Sequence, residues 1–265
     1  MHRAYFTKTD LTTSYGRKVT GVYNFLNMIF SYIKKYKASD IIVCWDSPSW
    51  RKDVDEDYKA SRIKKDENYI DQIRVVRAGL IALRLPDVRL EGYEADDLLA
   101  HYVKTFEGDC IIVSDDHDFE QLLSEEGRVV RIIKKGKDLY TTVDAEDKYG
   151  VSVENLPYLW AIMGDSADEI KGIPKVGVKR ASKLLKEVDY DFNKVFEDPK
   201  YSQYKEECYL NLEMIKLEGF SDAPEIDTSI NDFIRYNFNE DLIDTFMDDM
   251  EFSKFKLMIK DRSLV

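Results

Sequence analysis

The sequence predicts an α/β fold with a central, mostly parallel sheet flanked by helices. Two continuous apolar runs carry that expectation, Ile41-Ile42-Val43-Cys44-Trp45 and Ile111-Ile112-Val113. Runs apolar on both faces suit strands buried between helix layers. Helical stripes alternate with them along the chain, the order that builds parallel sheets. Each run also stops abruptly at acid, Asp46 in one case and Ser114-Asp115-Asp116 in the other.

From the N-terminus, apolar residues at Val19, Val22, Tyr23, Leu26, Ile29, Phe30 and Ile33 form a helical stripe. The strand at 41–45 follows, then a charged stretch from Arg51 to Asp71. Ile70, Ile73, Val76, Leu80 and Leu83 mark the next helix, which Pro86 stops. A short strand fits 88–90. Residues 94–106 read as a helix with acids in its first turn, where they favour the macrodipole. After the strand at 111–113, strands at 129–133 and 138–142 flank Lys134-Lys135-Gly136-Lys137 as a hairpin. From 143 onward the pattern is helical. One helix near 143–149 ends at Gly150 and another near 153–163 ends at Gly164. The turn Gly172-Ile173-Pro174-Lys175-Val176-Gly177 opens a basic helix, and further helices fit 205–219 and 240–260. The expected division is a core over 1–142 and a helical C-terminal region over 143–265.

The chain has 265 residues, 44% hydrophobic and 34% charged, which reads as soluble and globular. No apolar run approaches a membrane span, and MHRAYFTKTD lacks the apolar centre of a secretory signal. Cys44, Cys110 and Cys208 form no metal-type pair, and the histidines are scattered, so a zinc site built from them is not expected. Free thiols fit a reducing cytoplasm. A net charge of −12 first argues against a nucleic-acid partner. Yet residues 221–251 contribute −9 of it, which leaves −3 for the rest. Much of that remainder sits in a few tight acidic clusters, so a basic face can surround an acidic centre.

Four such clusters carry the chemistry. Asp46 follows a buried strand, the place where open α/β sheets hold ligands; a plain turn aspartate is the bland alternative. Glu94-Ala95-Asp96-Asp97 starts a helix, with Glu94 and Asp97 on one face; capping alone is the alternative. Asp116-His117-Asp118 follows the second buried strand, and no loop glycine and closing glutamate follow at the spacing of an EF-hand. Gly164-Asp165-Ser166-Ala167-Asp168 adds two acids just before the glycine-bearing turn. Converging carboxylates repel unless a cation neutralises them, and oxygen ligands suit Mg²⁺ or Mn²⁺. Two such ions about 4 Å apart would clamp a phosphoryl transfer. Two basic stretches flank the acids. From Lys171 to Lys186 there are six Lys/Arg and no acid. Arg51, Lys59 and Arg62 lie in the segment after Asp46.

These motifs, in this order, resemble the 5′ nuclease or flap endonuclease family. Phage 5′–3′ exonucleases and the 5′ nuclease domain of bacterial DNA polymerase I are the nearest in pattern. The matching pieces are His2-Arg3-Ala4-Tyr5-Phe6, the strand ending in Asp46, Tyr58-Lys59-Ala60-Ser61-Arg62, Gly92-Tyr93-Glu94-Ala95-Asp96-Asp97, Ser114-Asp115-Asp116-His117-Asp118, Gly164-Asp165-Ser166-Ala167-Asp168 and Gly172 to Ala181. They span about 2–190 of the sequence. The resemblance implies a PIN-like core, a helical arch at about 50–72 and a helix–two-turn–helix element at about 160–188. It implies that Asp46, Glu94, Asp96 and Asp97 hold one Mg²⁺ or Mn²⁺ and that Asp116, Asp118, Asp165 and Asp168 serve a second. Lys59 and Arg62 would act on the scissile phosphate beside the catalytic acids Asp46 and Asp97. DNA would be touched by Arg51, Tyr58, Lys59, Arg62, Gly172, Lys175, Gly177, Lys179, Arg180 and Lys183. K⁺ would bind backbone carbonyls near Val176 and Val178. The implied activity is hydrolysis at 5′ flaps or 5′ ends of DNA that leaves a 5′-phosphate. The implied setting is a monomer in the cytoplasm, or the host cytoplasm for a phage protein, beside a DNA polymerase or other replication proteins.

One departure stands out. The family opens with an apolar strand ending in Asp-Gly a few residues before its HRAYF-like segment, whereas this sequence starts at Met1-His2-Arg3. An internal methionine or a true truncation would each explain it, and a true loss predicts weakened metal binding and stability. Two other functions therefore stand beside the nuclease: a PIN-type ribonuclease, which would lack the arch and the basic helix, and a DNA-junction binder without catalysis.

Overall fold

The computed structural model describes residues 1–63, 65–135, 137–218 and 240–260. In chain order its elements are α1 (His2–Tyr5), α2 (Thr20–Tyr36), β1 (Val43–Cys44), α3 (Arg51–Val54), α4 (Glu67–Ala82), β2 (Asp87–Val88), α5 (Ala95–Thr105), β3 (Cys110–Val113), β4 (Val130–Lys134), β5 (Lys137–Tyr140), α6 (Thr142–Tyr149), α7 (Leu156–Met163), β6 (Gly164–Asp165), β7 (Ile170–Lys171), α8 (Val178–Glu187), α9 (Lys205–Ile215), α10 (Glu240–Asp249) and α11 (Ser253–Lys260). Contacts gather them into two compact units. One comprises Met1–Cys44, Ile63–Val88 and Pro224–Val265; the other comprises Trp45–Arg62 and Arg89–Ala223.

In the first unit, α2 buries Val22, Phe25, Leu26, Ile29, Phe30 and Ile33, the stripe that the helical period selects. It packs on α1 and α4. Gly21 N–H donates to Gln72 Oε1 at 2.7 Å, which ties α2 to α4 through a buried amide. Strands β1 and β2 pair in parallel, Val43 opposite Asp87 and Cys44 opposite Val88. Phe252, just before α11, and Phe255 within it meet Tyr23, and Phe255 also meets Phe30, both of α2. The acidic stretch at 221–251 lies outside the described residues as far as 239.

In the second unit, β3 and β4 are parallel and β4 and β5 antiparallel. Its core centres on α7, whose Leu156, Leu159, Trp160, Ala161 and Ile162 are all buried. Phe119, Ile132 and Leu185 close around that helix. Burying each such large apolar side chain stabilises by roughly 1.5–3 kcal/mol. Helix α6 starts at a Thr141/Asp144 capping box and ends at Gly150 in the left-handed region. The hairpin β6–β7 needs both its glycines. Gly164 has φ +74°, and a Cβ on Gly164 or on Gly172 would overlap backbone of the other strand.

The α/β reading holds, with differences. The strand expected at 41–45 is only Val43–Cys44, and no ladder among the described residues joins β1–β2 to β3–β5. Each of the two units is made of separated stretches of the chain. Within the segment expected as a helical arch at about 50–72, helix is found over Arg51–Val54 and again from Glu67, where α4 begins, with a run of turns after Val54. Its sequence, RKDVDEDYKASR, is polar all round and offers no apolar stripe to hold a longer helix.

Candidate metal centre

Every acid singled out from the sequence lies in the second unit. Asp46 sits just past β1, and its Oδ1 accepts from Ala95 N–H at 3.2 Å, at the N-terminus of α5. Arg89 Nε donates to its carbonyl at 3.0 Å. Residues 45–50 run beside 89–92, with Trp50 N–H donating to Gly92 carbonyl. This crossing brings Asp46 to the acids that open α5. Asp116 and Asp118 follow β3, so their place is set by the strand end. Asp165 ends β6 and Asp168 lies in the turn to β7, and Asp165 Oδ1 accepts from Ala167 N–H at 2.8 Å.

The acids share one electrostatic environment. Asp96 is pushed well above the usual carboxylate range by burial first, then by Asp116, Asp46 and Glu94, against the lowering pull of Lys59. Asp118 is pushed up in the same way by burial, then by Asp116, Asp165 and Asp168. Single oxygens of Asp118, Asp165 and Asp168 lie within 4.8 Å of one another, and one ligand atom each from Asp116, His117 and Asp118 does the same. Carboxylates this close have the donor chemistry for hard divalent cations. The residues therefore fit the metal that the sequence implied.

Three basic side chains already reach into the acids. Lys59 Nζ stands 2.9 Å from Glu94 Oε1 and 3.2 Å from Asp168 Oδ2, with its side chain only 9% exposed. Burial works against its charge, but Glu94 and Asp168 outweigh that and raise its pKa. Arg62 pairs with Asp168 Oδ1 at 2.6 Å while staying about half exposed. The backbone fixes both: Lys59, at φ +52°, donates its N–H to Asp168 carbonyl, and Ser61 N–H donates to Glu169 Oε2 at 2.8 Å. Lys59 and Arg62 thus reach the acids from a pinned turn, not at the helical spacing expected.

Arg51 departs from expectation further. A DNA contact was expected, but the residue is 2% exposed. Its guanidinium grips both oxygens of Asp97, at 2.9 and 2.7 Å, and Nε donates to Met214 carbonyl at 2.7 Å. Burial opposes its charge, yet Asp97 holds the guanidinium firmly protonated. Asp97 also accepts from Glu94 N–H at 3.0 Å. Both Asp97 oxygens, expected to face a metal, are therefore engaged with protein donors. Tyr58, expected on DNA, is 3% exposed. Its hydroxyl donates to Glu94 Oε2 at 2.9 Å and lies 3.3 Å from Asp168 Oδ2.

The basic helix matches its pattern. Ala181, Ser182 and Leu185 of α8 are buried, while Lys179, Arg180, Lys183 and Lys186 are exposed, together with Lys175 in the turn. Gly177 is the N-cap. Gly172 is needed for backbone packing against Met163 and Gly164. Val176 is buried and Val178 half-buried.

Two residues escaped the sequence reading. Glu120 is fully buried and is met by Lys134, Lys148 and Tyr140. Its one signal was an acid inside the apolar run Phe119-Glu120-Gln121-Leu122-Leu123. His117 was quoted only as the spacer between two aspartates.

Residues 1–150 match the family described as 5′-3′ exonuclease, N-terminal resolvase-like domain. DNA polymerase I of Caldicellulosiruptor bescii is 36% identical over 226 residues, 82% of this chain and 25% of that protein. The 5′-3′ exonuclease of Aquifex aeolicus is 34% identical over 191 residues, 70% of this chain and 65% of that protein. The chain thus spans about a quarter of the polymerase relative. Among solved structures, the phage T5 D15 protein co-crystallised with metal ions superposes with a TM-score of 0.66 at 21% identity, over 86% of this chain and 89% of that one. Human GEN1 in complex with Holliday junction DNA superposes with a TM-score of 0.61 at 16% identity, over 97% and 68%. These likenesses identify the fold as the α/β fold of 5′ nucleases. No described helix is long and apolar enough to cross a membrane.

Proposed function

The chain belongs to the 5′-3′ exonuclease family, and from that premise we propose that it hydrolyses phosphodiester bonds at 5′ flaps or 5′ ends of DNA with two divalent cations. One observation carries the reading: acids from four distant stretches, Asp46, Glu94/Asp96, Asp116/Asp118 and Asp165/Asp168, act on one another's charge in a single site. Asp46, Glu94 and Asp96 would hold one ion, and Asp118, Asp165 and Asp168 the other, with Asp116 between them. Mg²⁺ or Mn²⁺ held there would supply Lewis acidity and neutralise the charge that builds up on the phosphate.

The protein's own groups do the rest. Lys59 and Arg62 stand at the acids on a turn held by backbone, so their charge is fixed where a phosphate would arrive. Arg51 and Tyr58 take no part in DNA contact; they orient Asp97 and Glu94 from behind. The exposed cations of the turn and helix at 175–186 would grip duplex phosphates without reading bases. K⁺ would be held by backbone carbonyls near Val176, in the same turn, and Val178, the first residue of α8.

A labelled 5′-flap duplex separates the outcomes. Cutting in Mg²⁺, none in EDTA, and loss of cutting with retained binding in Asp118→Asn is the expected pattern. Binding without cutting in Mg²⁺ would instead make the chain a junction binder. Cutting of single-stranded RNA but not of the flap would return it to the ribonuclease reading.

A further inference from the structure

We propose that His117 is a ligand of the second cation, so that this site carries one nitrogen among its oxygens and favours Mn²⁺ and Co²⁺ over Mg²⁺ more than an all-carboxylate site would. The inference rests on the two-metal reading above and gives its second position a specific composition.

The geometry comes first. Nε2 of His117 lies 3.4 Å from Asp118 Oδ1 and 3.4 Å from Asp165 Oδ2. Adjacent ligands on an octahedral ion with bonds of about 2.1 Å stand roughly 3 Å apart. Nε2 therefore sits where a neighbouring ligand of Asp118 and Asp165 would sit, and those two oxygens belong to the group completed by Asp168. Nδ1 faces the other way, 3.7 Å from Asp116 Oδ1. Nε2 is thus the nitrogen turned toward Asp118 and Asp165. The ring is also held. It meets the buried Trp160 edge-to-face, with centroids 5.2 Å apart. The side chain is one-third exposed, so a cation can reach it.

The chemistry follows. Mg²⁺ takes oxygen ligands and gains little from an imidazole, whereas the later divalent ions gain in the order Mn²⁺, Fe²⁺, Co²⁺. One nitrogen should thus bias the site without excluding Mg²⁺.

The test uses the full chain with histidine labelled by ¹⁵N, loaded with Mn²⁺ and read by pulsed electron paramagnetic resonance. A directly bonded nitrogen coupling is expected. It should change from the ¹⁴N to the ¹⁵N pattern on labelling and disappear in His117→Gln. By calorimetry, His117→Gln should lose about tenfold in Co²⁺ affinity relative to Mg²⁺. Bound Mn²⁺ with no nitrogen coupling, or an equal loss for Co²⁺ and Mg²⁺, would overturn the assignment and leave the metal centre standing. No Mn²⁺ binding to the intact carboxylates would overturn both.

Discussion

Arg51→Ala should unfold more than it unbinds. Arg51 is 2% exposed and Asp97 5%. The substitution removes two charge-assisted bonds to Asp97 and one to Met214 carbonyl of α9. It leaves a buried carboxylate that still accepts from Glu94 N–H. Breaking one side of a buried pair costs about 3–5 kcal/mol, most of it from the charge left behind. That loss should appear as a lower urea midpoint at an unchanged slope. Asp97→Asn in the Arg51→Ala background should recover part of it, because the orphaned charge is gone. Binding to a flap duplex gives the second readout. A phosphate contact would lower the salt dependence of log K by about one unit on removal. Arg51 touches no phosphate in the reading above, so the slope should not move once folded protein is compared with folded protein. A variant of nearly normal stability whose salt slope falls by one would refute the buried-anchor argument and restore Arg51 to the DNA face.

Lys59→Ala should slow cleavage by well over the factor by which it weakens flap binding, because its ammonium stands at Glu94 and Asp168 and not on the exposed basic helix; equal losses in kcat and Kd would make it a plain anchor. Gly172→Ala should destabilise by roughly 1–3 kcal/mol or more, since its Cβ would overlap the Met163 carbonyl, and an unshifted Tm would show that β6–β7 can give way. Glu120→Gln should cost about 3 kcal/mol by urea titration, because Lys134, nearly enclosed, loses its counter-charge. The pH dependence follows from Asp96 and Asp118, both raised in the folded protein by burial and then by neighbouring acids. A raised carboxylate binds its proton more tightly folded than unfolded, so metal-free stability falls as pH climbs above the ordinary carboxylate range. The gain in Tm on adding Mg²⁺ should therefore grow from about pH 5 to about pH 8, and a constant gain would contradict it.

Much of this was legible in the sequence where one local rule governs. The helical stripe from Val19 to Ile33 became α2, and the acids after 41–45 and 111–113 fell at strand ends as the apolar runs dictated. The amphipathic pattern of 178–187 put Ala181 and Leu185 inside and its cations outside. What stayed hidden depends on partners distant in sequence. Arg51 looks like any basic loop residue until Asp97, 46 positions on, and Met214, 163 positions on, meet it. Tyr58 reads equally as a base-stacking or a core residue, and only Glu94 and Asp168 above it decide. Glu120 depends on three donors from β4, β5 and α6. The strand at 41–45 shrank to Val43–Cys44, and the run at 111–113 formed β3 with Ile111 and Val113 exposed, because an apolar run fixes neither where a ladder finds a partner nor which face is covered.

The charge balance ties these pieces together. Eight carboxylates, Asp46, Glu94, Asp96, Asp97, Asp116, Asp118, Asp165 and Asp168, meet three fixed cations, Arg51, Lys59 and Arg62. Arg51 and Asp97 cancel where neither can reach water. Lys59 sits between Glu94 and Asp168 and so joins the two halves of the acid set. If all the acids are ionised, five negative charges remain, and around the buried members of the set that excess is screened less than it would be at the surface. Burial and neighbouring acids accordingly raise the proton affinity of Asp96 and Asp118. Two divalent cations would bring the fully ionised site to within one charge of neutral, which a phosphodiester arriving beside Lys59 and Arg62 could tolerate. The same bookkeeping accounts for the cations proposed to grip DNA lying on α8 and its turn: placed among the acids they would take the metals' role, as Lys59 already does in part.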